Sequence, residues 1–302
     1  YSCPDVGTIY LLLRVKKGLT EEERLKILFT NKIFENLREK QPDVFKKIKL
    51  VAGDILDDNL GLSNDDAQEL RRNCNIVFHS AACVRFDQNL KDAVNMNIKG
   101  TLRLLKLAET MENIEAFVHL STAYCRCELE VLEEKLYPAV HSPEKIIDLV
   151  EWLDDKTLNF IEPKLISSEP NTYSYTKAMT EVLVGQYSSK FPIAIGRPSI
   201  GKYIYFLIIY IYIYIYIYQP VNVPLLGLRL SFLRRRLGAR PRCSNAGCWN
   251  ILVVVVYSTQ LSKSFLLHKR HGFYSNKLLQ YESVHIHLVE THLLHATLDS
   301  SR

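Results

Sequence analysis

The chain has 302 residues and 47% hydrophobic side chains, enough to bury one sizeable core. Its net charge of +5 comes almost wholly from the last hundred residues and so gives no support to a nucleic-acid role. Seven cysteines are too few and too irregularly spaced for a disulfide framework in a chain of this size, and an odd count without a signal peptide points to a reducing intracellular compartment.

Residues 9–13 form an apolar run of strand type. Thr20 and Glu23 then make a capping box that opens a helix in which Leu25, Leu28, Phe29, Ile33 and Leu37 recur at helical spacing. A short strand is predicted at 50–53, a helix at 65–73, a buried strand at 76–82 and a helix at 90–111. A fourth strand falls at 117–121, a helix begins near Thr172, and a fifth strand lies at 193–196. Strands alternating with helices predict an α/β fold, a doubly wound parallel sheet whose ligand crevice lies at the carboxyl ends of the strands. Asp54, Ala81, Ala82, Ser121 and Thr122 all sit where a strand runs out.

The stretch Tyr173-Ser174-Tyr175-Thr176-Lys177 sets a Tyr and a Lys four apart on one helix face. An ammonium beside a phenol favours the phenolate, lowers the Tyr pKa and makes the hydroxyl a proton donor to a carbonyl that receives hydride. A solvated helix face with the same spacing is the alternative. Fifty residues separate Thr122 from Tyr173. They hold Glu130, Glu133, Glu134 and Lys135, then Tyr137-Pro138, then an amphipathic helix predicted at 143–158. A surface insertion with its own small core and a substrate-covering element both fit that pattern.

Several ordered stretches carry a family resemblance. They are Ile9-Tyr10-Leu11-Leu12-Leu13-Arg14 with Lys16-Lys17-Gly18, Gly53-Asp54, Val77-Phe78-His79-Ser80-Ala81-Ala82 with Val84-Arg85-Phe86, and Asn97-Ile98-Lys99-Gly100-Thr101. Phe117-Val118-His119-Leu120-Ser121-Thr122-Ala123-Tyr124-Cys125, Pro170-Asn171-Thr172 leading into the Tyr/Lys stretch, and Arg197-Pro198-Ser199-Ile200 complete them. Over residues 1–200 the chain resembles the extended short-chain dehydrogenases, a Rossmann-like NAD(P)-binding fold, and within them the alcohol-forming fatty acyl-CoA reductases. The resemblance implies that Tyr173 donates a proton, that Lys177 holds the nicotinamide ribose and lowers the Tyr pKa, and that Thr122, or alternatively Ser121, bonds the substrate carbonyl. It places Arg14, Lys16, Asp54, Ala81, Ala82, Asn97, Lys177 and Arg197 at the cofactor, with Asp54 reading the adenine amino group, and it implies no metal. The insertion becomes a lid over an acyl-thioester tunnel lined by Ile146, Ile147, Val150, Trp152, Leu153 and Leu158. The implied reaction is NADPH-dependent reduction of long-chain acyl-CoA through an aldehyde to the alcohol. The implied location is intracellular and membrane-associated, at the peroxisome or endoplasmic reticulum. Another extended short-chain dehydrogenase acting on a sterol or sugar nucleotide, and a catalytically dead cofactor-fold interaction protein, are the alternatives.

Cofactor preference is argued from the end of the first visible strand, where an acidic residue would suit a ribose diol and an Arg a 2′-phosphate. The chain offers Arg14, Lys16 and Lys17 there and no acid between Ile9 and Glu21, which favours NADPH. A solvated basic turn is the alternative, as an ordinary turn is for Gly53-Asp54.

Nothing before Ile9 supplies a first strand or a glycine-rich pyrophosphate turn, so about thirty upstream residues are expected by the size of a βαβ unit. A second break falls after Ile200. Acidic and basic side chains number 30 and 27 up to Lys202 but 3 and 11 from Tyr203 onward. The Tyr/Ile alternation at 209–218 is what an AT dinucleotide repeat encodes, and Gly201-Lys202-Tyr203 suits a splice donor, so residues 201–302 are expected to be a translated intron unrelated to the reductase domain. A short membrane segment at 203–218 followed by Arg-rich chain is the alternative. His285, His287, His292 and His295 lack the partners of a metal site. With its central strand absent, the chain as written is expected to be inactive and poorly soluble.

Overall fold

The computed structural model describes residues 6–15, 18–167, 169–198 and 249–254. Six strands form one parallel sheet: β1 (Val6–Leu13), β2 (Ile48–Ala52), β3 (Ile76–His79), β4 (Ala116–Leu120), β5 (Ile193–Gly196) and β6 (Trp249–Val254), in the order β2-β1-β6-β3-β4-β5. Each strand is a short, largely apolar run, as a sheet covered on both faces requires. Alternate residues supply two core layers. Tyr10, Leu12, Val77, Phe117, Leu252 and Val254 join the larger one, whereas Ile76, Phe78, Val118, Ala194 and Ile251 form the smaller.

The central position of the sheet, expected to be empty, is filled by β6. Its Ile251, Leu252, Val253 and Val254 pair with 9–12 of β1 on one side and with 76–79 of β3 on the other. Side chains fix this register at both ends. Asn250 accepts from the Thr8 amide (2.9 Å), the Asn250 amide donates to the Asn75 side chain (3.1 Å), and the Ser80 hydroxyl donates to the Val254 carbonyl (2.9 Å). The backbone groups of β1 and β3 that would otherwise lie unpaired in the interior are thereby satisfied. Segment 249–254 thus belongs to the sheet and not to an unrelated tail. The 203–218 segment lies outside the described residues, and among those described no helix is long and apolar enough to cross a membrane.

The capping box of Thr20 and Glu23 forms and opens α1 (Glu21–Phe29), but the expected single helix breaks at Asn31, which caps a 3-10 turn leading to α2 (Glu35–Lys40). Helix α3 (Asn64–Asn73) follows Ser63 as its cap. Next, α4 (Leu90–Ala93), a π-helical stretch (Val94–Lys99) and α5 (Gly100–Glu109) run together under the sheet. The insertion's expected single helix is two, α6 (Pro143–Trp152) and α7 (Asp155–Leu165), because the Asp154 side chain caps a new start by accepting from the Thr157 amide. Ile146, Ile147, Val150 and Leu158 pack into the larger core, so the insertion neither has a separate core nor turns these residues to a tunnel. Trp152, expected to line that tunnel, is 81% exposed. Helix α8 (Thr172–Gln186) lies buried against the sheet along most of its length.

Candidate active site

Helix α8 is held in place from its first residues. Asn171 caps it by accepting from the Ser174 amide (2.9 Å), and the Thr172 hydroxyl donates to the Gln88 carbonyl (2.7 Å). Tyr173 and Lys177 therefore emerge one turn apart beside the ends of β3 and β4, where Ser121 and Thr122 follow the last residue of β4. Phe86, from the segment after β3, sits against the Tyr173 ring at 5.6 Å between centroids.

Burial pushes the Tyr173 phenol up to about 12, while the Thr122 hydroxyl, hydrogen-bonded to it, acts in the lowering direction. The expected lowering by Lys177 is not what the structure has. The Lys177 ammonium is buried and donates to the Leu120 carbonyl (2.7 Å), and burial brings it down to about 8 against the supporting charge of Glu181. Tyr173 is thus a neutral phenol throughout the physiological range. It remains far more acidic than an alkoxide's conjugate alcohol, whose pKa lies near that of water at roughly 16, so proton transfer to a developing alkoxide runs downhill.

Thr122 is buried and its hydroxyl accepts from the Tyr124 amide (3.2 Å) while reaching Tyr173. The Ser121 hydroxyl is buried without a hydrogen-bond partner among the described residues. An unpaired donor beside a buried ammonium and a neutral phenol fits a nicotinamide ribose and a carbonyl oxygen. Ala81 and Ala82 are buried just past β3, where small side chains leave backbone accessible to a ligand's close approach.

Other expected cofactor residues have partners within the protein. Asn97 is fully committed: its carbonyl oxygen accepts from the Cys83 amide (2.7 Å), and its amide donates to the Cys83 carbonyl (3.2 Å) and to Thr176 (2.9 Å). It fastens the segment after β3 to α8. Arg197 makes a two-pronged bond to the buried Glu181 carboxylate (2.9 and 2.6 Å) and donates to the carbonyls of Glu133 and Lys135. With Arg126 it also flanks the Tyr137 ring, so it clamps the insertion onto α8. Arg14 and Asp54, assigned to opposite parts of the adenosine, bond each other at 2.7 Å. Gly53 precedes Asp54 for a packing reason, since a Cβ there would fall 2.5 Å from the Leu60 carbonyl. Lys16 lies outside the described residues.

Two participants were missed from the sequence. Arg24 donates to the Arg14 carbonyl, and the repulsion between their guanidiniums lowers its pKa further after burial, so two cations stand at the end of β1. Glu181 anchors Arg197 and supports the Lys177 charge; its signal was the spacing of four from Lys177.

A family model described as Male sterility protein, an NAD-binding family, matches residues 1–201. The chain belongs to the Male sterility protein family. Its family is one that binds a nicotinamide cofactor. Among curated relatives, human "Fatty acyl-CoA reductase 1" is 44% identical over 199 residues, 66% of this chain and 39% of that protein. Bovine "Fatty acyl-CoA reductase 2" is 44% identical over 197 residues, 65% of this chain and 38% of that protein. This Male sterility protein family member therefore spans about two fifths of the length of the relatives it matches. Among solved structures, the terminal R domain of the myxalamid biosynthetic pathway superposes with a TM-score of 0.44 at 25% identity, over 64% of this chain and 42% of that one.

Proposed function

We propose that the protein reduces long-chain fatty acyl-CoA to fatty alcohol through an aldehyde, with NADPH as the reductant. The observation that carries this reading is Tyr173, Lys177 and Thr122 converging at the strand ends of a chain 44% identical to fatty acyl-CoA reductases. When bound, the cofactor would supply hydride, to the thioester carbonyl and again to the aldehyde. Thr122 donates toward the carbonyl oxygen, placing a hydrogen bond where negative charge forms. Tyr173 gives its proton to that oxygen when the alcohol forms; the hemithioacetal of the first step breaks its C–S bond, with the CoA thiolate leaving and taking a proton. Lys177 would hold the ribose hydroxyls of that cofactor and supply a positive charge there. Ser121 serves as the second hydroxyl. Arg14, with Arg24 behind it, favours a 2′-phosphate, for which it would release Asp54 toward the adenine amino group. A peroxisomal or endoplasmic-reticulum membrane location goes with this substrate class.

The test is cofactor oxidation on adding palmitoyl-CoA to the protein with NADPH. Acyl-CoA-dependent oxidation that disappears in Tyr173→Phe supports the proposal. NADPH binding without any turnover on acyl-CoA, together with turnover on a sterol or sugar nucleotide, would replace it by the other dehydrogenase reading.

A further inference from the structure

The segment between β3 and α4, residues 83–89, runs beside the site and is pinned at both ends. At its start, the Asn97 side chain holds both backbone groups of Cys83, accepting from the amide (2.7 Å) and donating to the carbonyl (3.2 Å). At its end, the Gln88 carbonyl accepts from the Thr172 hydroxyl of α8 (2.7 Å), and the Asn89 side chain caps α4 by accepting from the Asp92 amide (2.8 Å). The next amide, that of Leu90, donates to Glu162 of α7 (3.0 Å), so the insertion braces this end as well. A loop this short, bonded at both ends to neighbouring helices, has little freedom to move.

Phe86 lies in the middle of it. Arg85 and Asp87 on either side are exposed and bond each other by two prongs (3.1 and 3.0 Å). Phe86 instead meets the Tyr173 ring, 5.6 Å away between centroids and tilted by 50°, an attractive geometry for two aromatic rings. Both rings are half-buried. The far end of Tyr173, its hydroxyl, is bonded to Thr122. A bond at the hydroxyl alone leaves the plane of the ring free to turn, whereas a flat neighbour fixes it. A phenol O–H lies in the plane of its ring, so whatever sets that plane sets the direction in which the proton is offered, and hydrogen bonds weaken steeply as they bend.

On the reading of Tyr173 as proton donor to a carbonyl, we propose that Phe86 is a positioning residue for it: carried on a loop fixed at both ends, its ring holds the phenol plane that aims the proton at the substrate oxygen. Phe86 also covers one side of the Tyr173 ring, so its removal admits water to a phenol that burial pushes up to about 12.

Turnover of palmitoyl-CoA with NADPH would be measured in the full chain for the parent, Phe86→Ala, Phe86→Leu and Phe86→Tyr, and for Phe86→Ala combined with Tyr173→Phe. Phe86→Ala should lower kcat by about 10²-fold, the scale of a misplaced reacting group, with the KM for NADPH unchanged. Phe86→Tyr, which keeps the ring, should restore most of the loss, and Phe86→Leu, bulky but not flat, should fall between. Added to Tyr173→Phe, Phe86→Ala should cost no more than about twofold, because no donor is left to aim. Tyrosine-labelled NMR needs no substrate, and in Phe86→Ala the Tyr173 pKa should fall by about one unit, a tenfold change in proton affinity.

Parental kcat in folded Phe86→Ala overturns the proposal, as does a loss that repeats in full in the Tyr173→Phe background or an unmoved Tyr173 titration. Parental turnover in Tyr173→Phe alone is a different failure: it removes the proton donor of the functional reading, and with it what Phe86 would aim. If Phe86→Ala does not fold, Phe86→Leu and Phe86→Tyr decide, and equal kcat in those two overturns the proposal.

Discussion

Leu252→Ala tests whether segment 249–254 is a structural strand. Leu252 is fully buried, pairs with Tyr10 on one side and Val77 on the other, and sits in the larger core. Truncating it removes apolar contact and leaves a cavity in the middle of the sheet, where neighbouring strands held on both sides have little freedom to collapse inward. The cost should sit in the upper half of the range for buried Leu→Ala, about 3–5 kcal/mol. With a urea slope of about 2 kcal/mol/M, the unfolding midpoint should fall by roughly 1.5–2.5 M. Leu104→Ala in α5, equally buried, is the matched control for a core position within the first two hundred residues. Equilibrium urea unfolding followed by far-ultraviolet circular dichroism reads both. A Leu104 variant that is strongly destabilised beside a Leu252 variant within about 0.5 kcal/mol of the parent, the span of neutral surface changes, would return 249–254 to the tail.

Tyr173→Phe should cost about 10² to 10⁴ in turnover, the usual scale for a general acid, with NADPH affinity little changed by fluorescence titration; parental turnover would remove Tyr173 as the donor. Because the folded Lys177 pKa of about 8 lies below its ordinary value, the ammonium is present below that pH and lost as pH rises through it, so turnover should decline above about pH 8 while the Tyr173 phenol stays protonated; a flat profile to pH 10 would show that the charge is not needed. Arg14→Ala should weaken NADPH more than NADH in parallel titrations, since only NADPH offers a phosphate to the guanidinium, and equal weakening would leave Arg14 with only its structural bond to Asp54. Arg197→Ala strands the buried Glu181 carboxylate and should destabilise by about 3–5 kcal/mol, with the insertion near Tyr137 becoming protease-sensitive; an unchanged urea midpoint would contradict the clamp.

The parallel sheet was legible because each of its first five strands is a short apolar run bounded by polar or turn residues. Ile193–Gly196 falls where expected, and the capping residues Thr20 and Asn171 mark helix starts through contacts only three residues long. The sixth strand was not legible. Ile251 to Val254 is as strand-like as Ile9 to Leu13, but composition around it differs, and nothing local tells a chain which gap in a distant sheet it will fill. The same holds at the site. Tyr173 and Lys177 could be found from their spacing, yet the acceptor for the ammonium is a backbone carbonyl on β4, 57 residues away. Arg14 and Arg197 carry the charge that phosphate recognition needs, and their carboxylate partners Asp54 and Glu181 come from other elements, visible only once the fold brings them together. Trp152 shows the converse: an apolar residue at the end of α6 that lies off the face carrying Ile146, Ile147 and Val150 and is left in solvent.

The most direct measurement of the central claim is isotope transfer. The protein is incubated with palmitoyl-CoA and NADPH deuterated at the transferring position, and the product is analysed by mass spectrometry. Two hydride steps on one acyl carbon predict hexadecanol carrying two deuterium atoms at C1, with one CoA thiol released and two cofactor molecules oxidised per alcohol. Cofactor oxidation that leaves the acyl chain unlabelled would contradict the account.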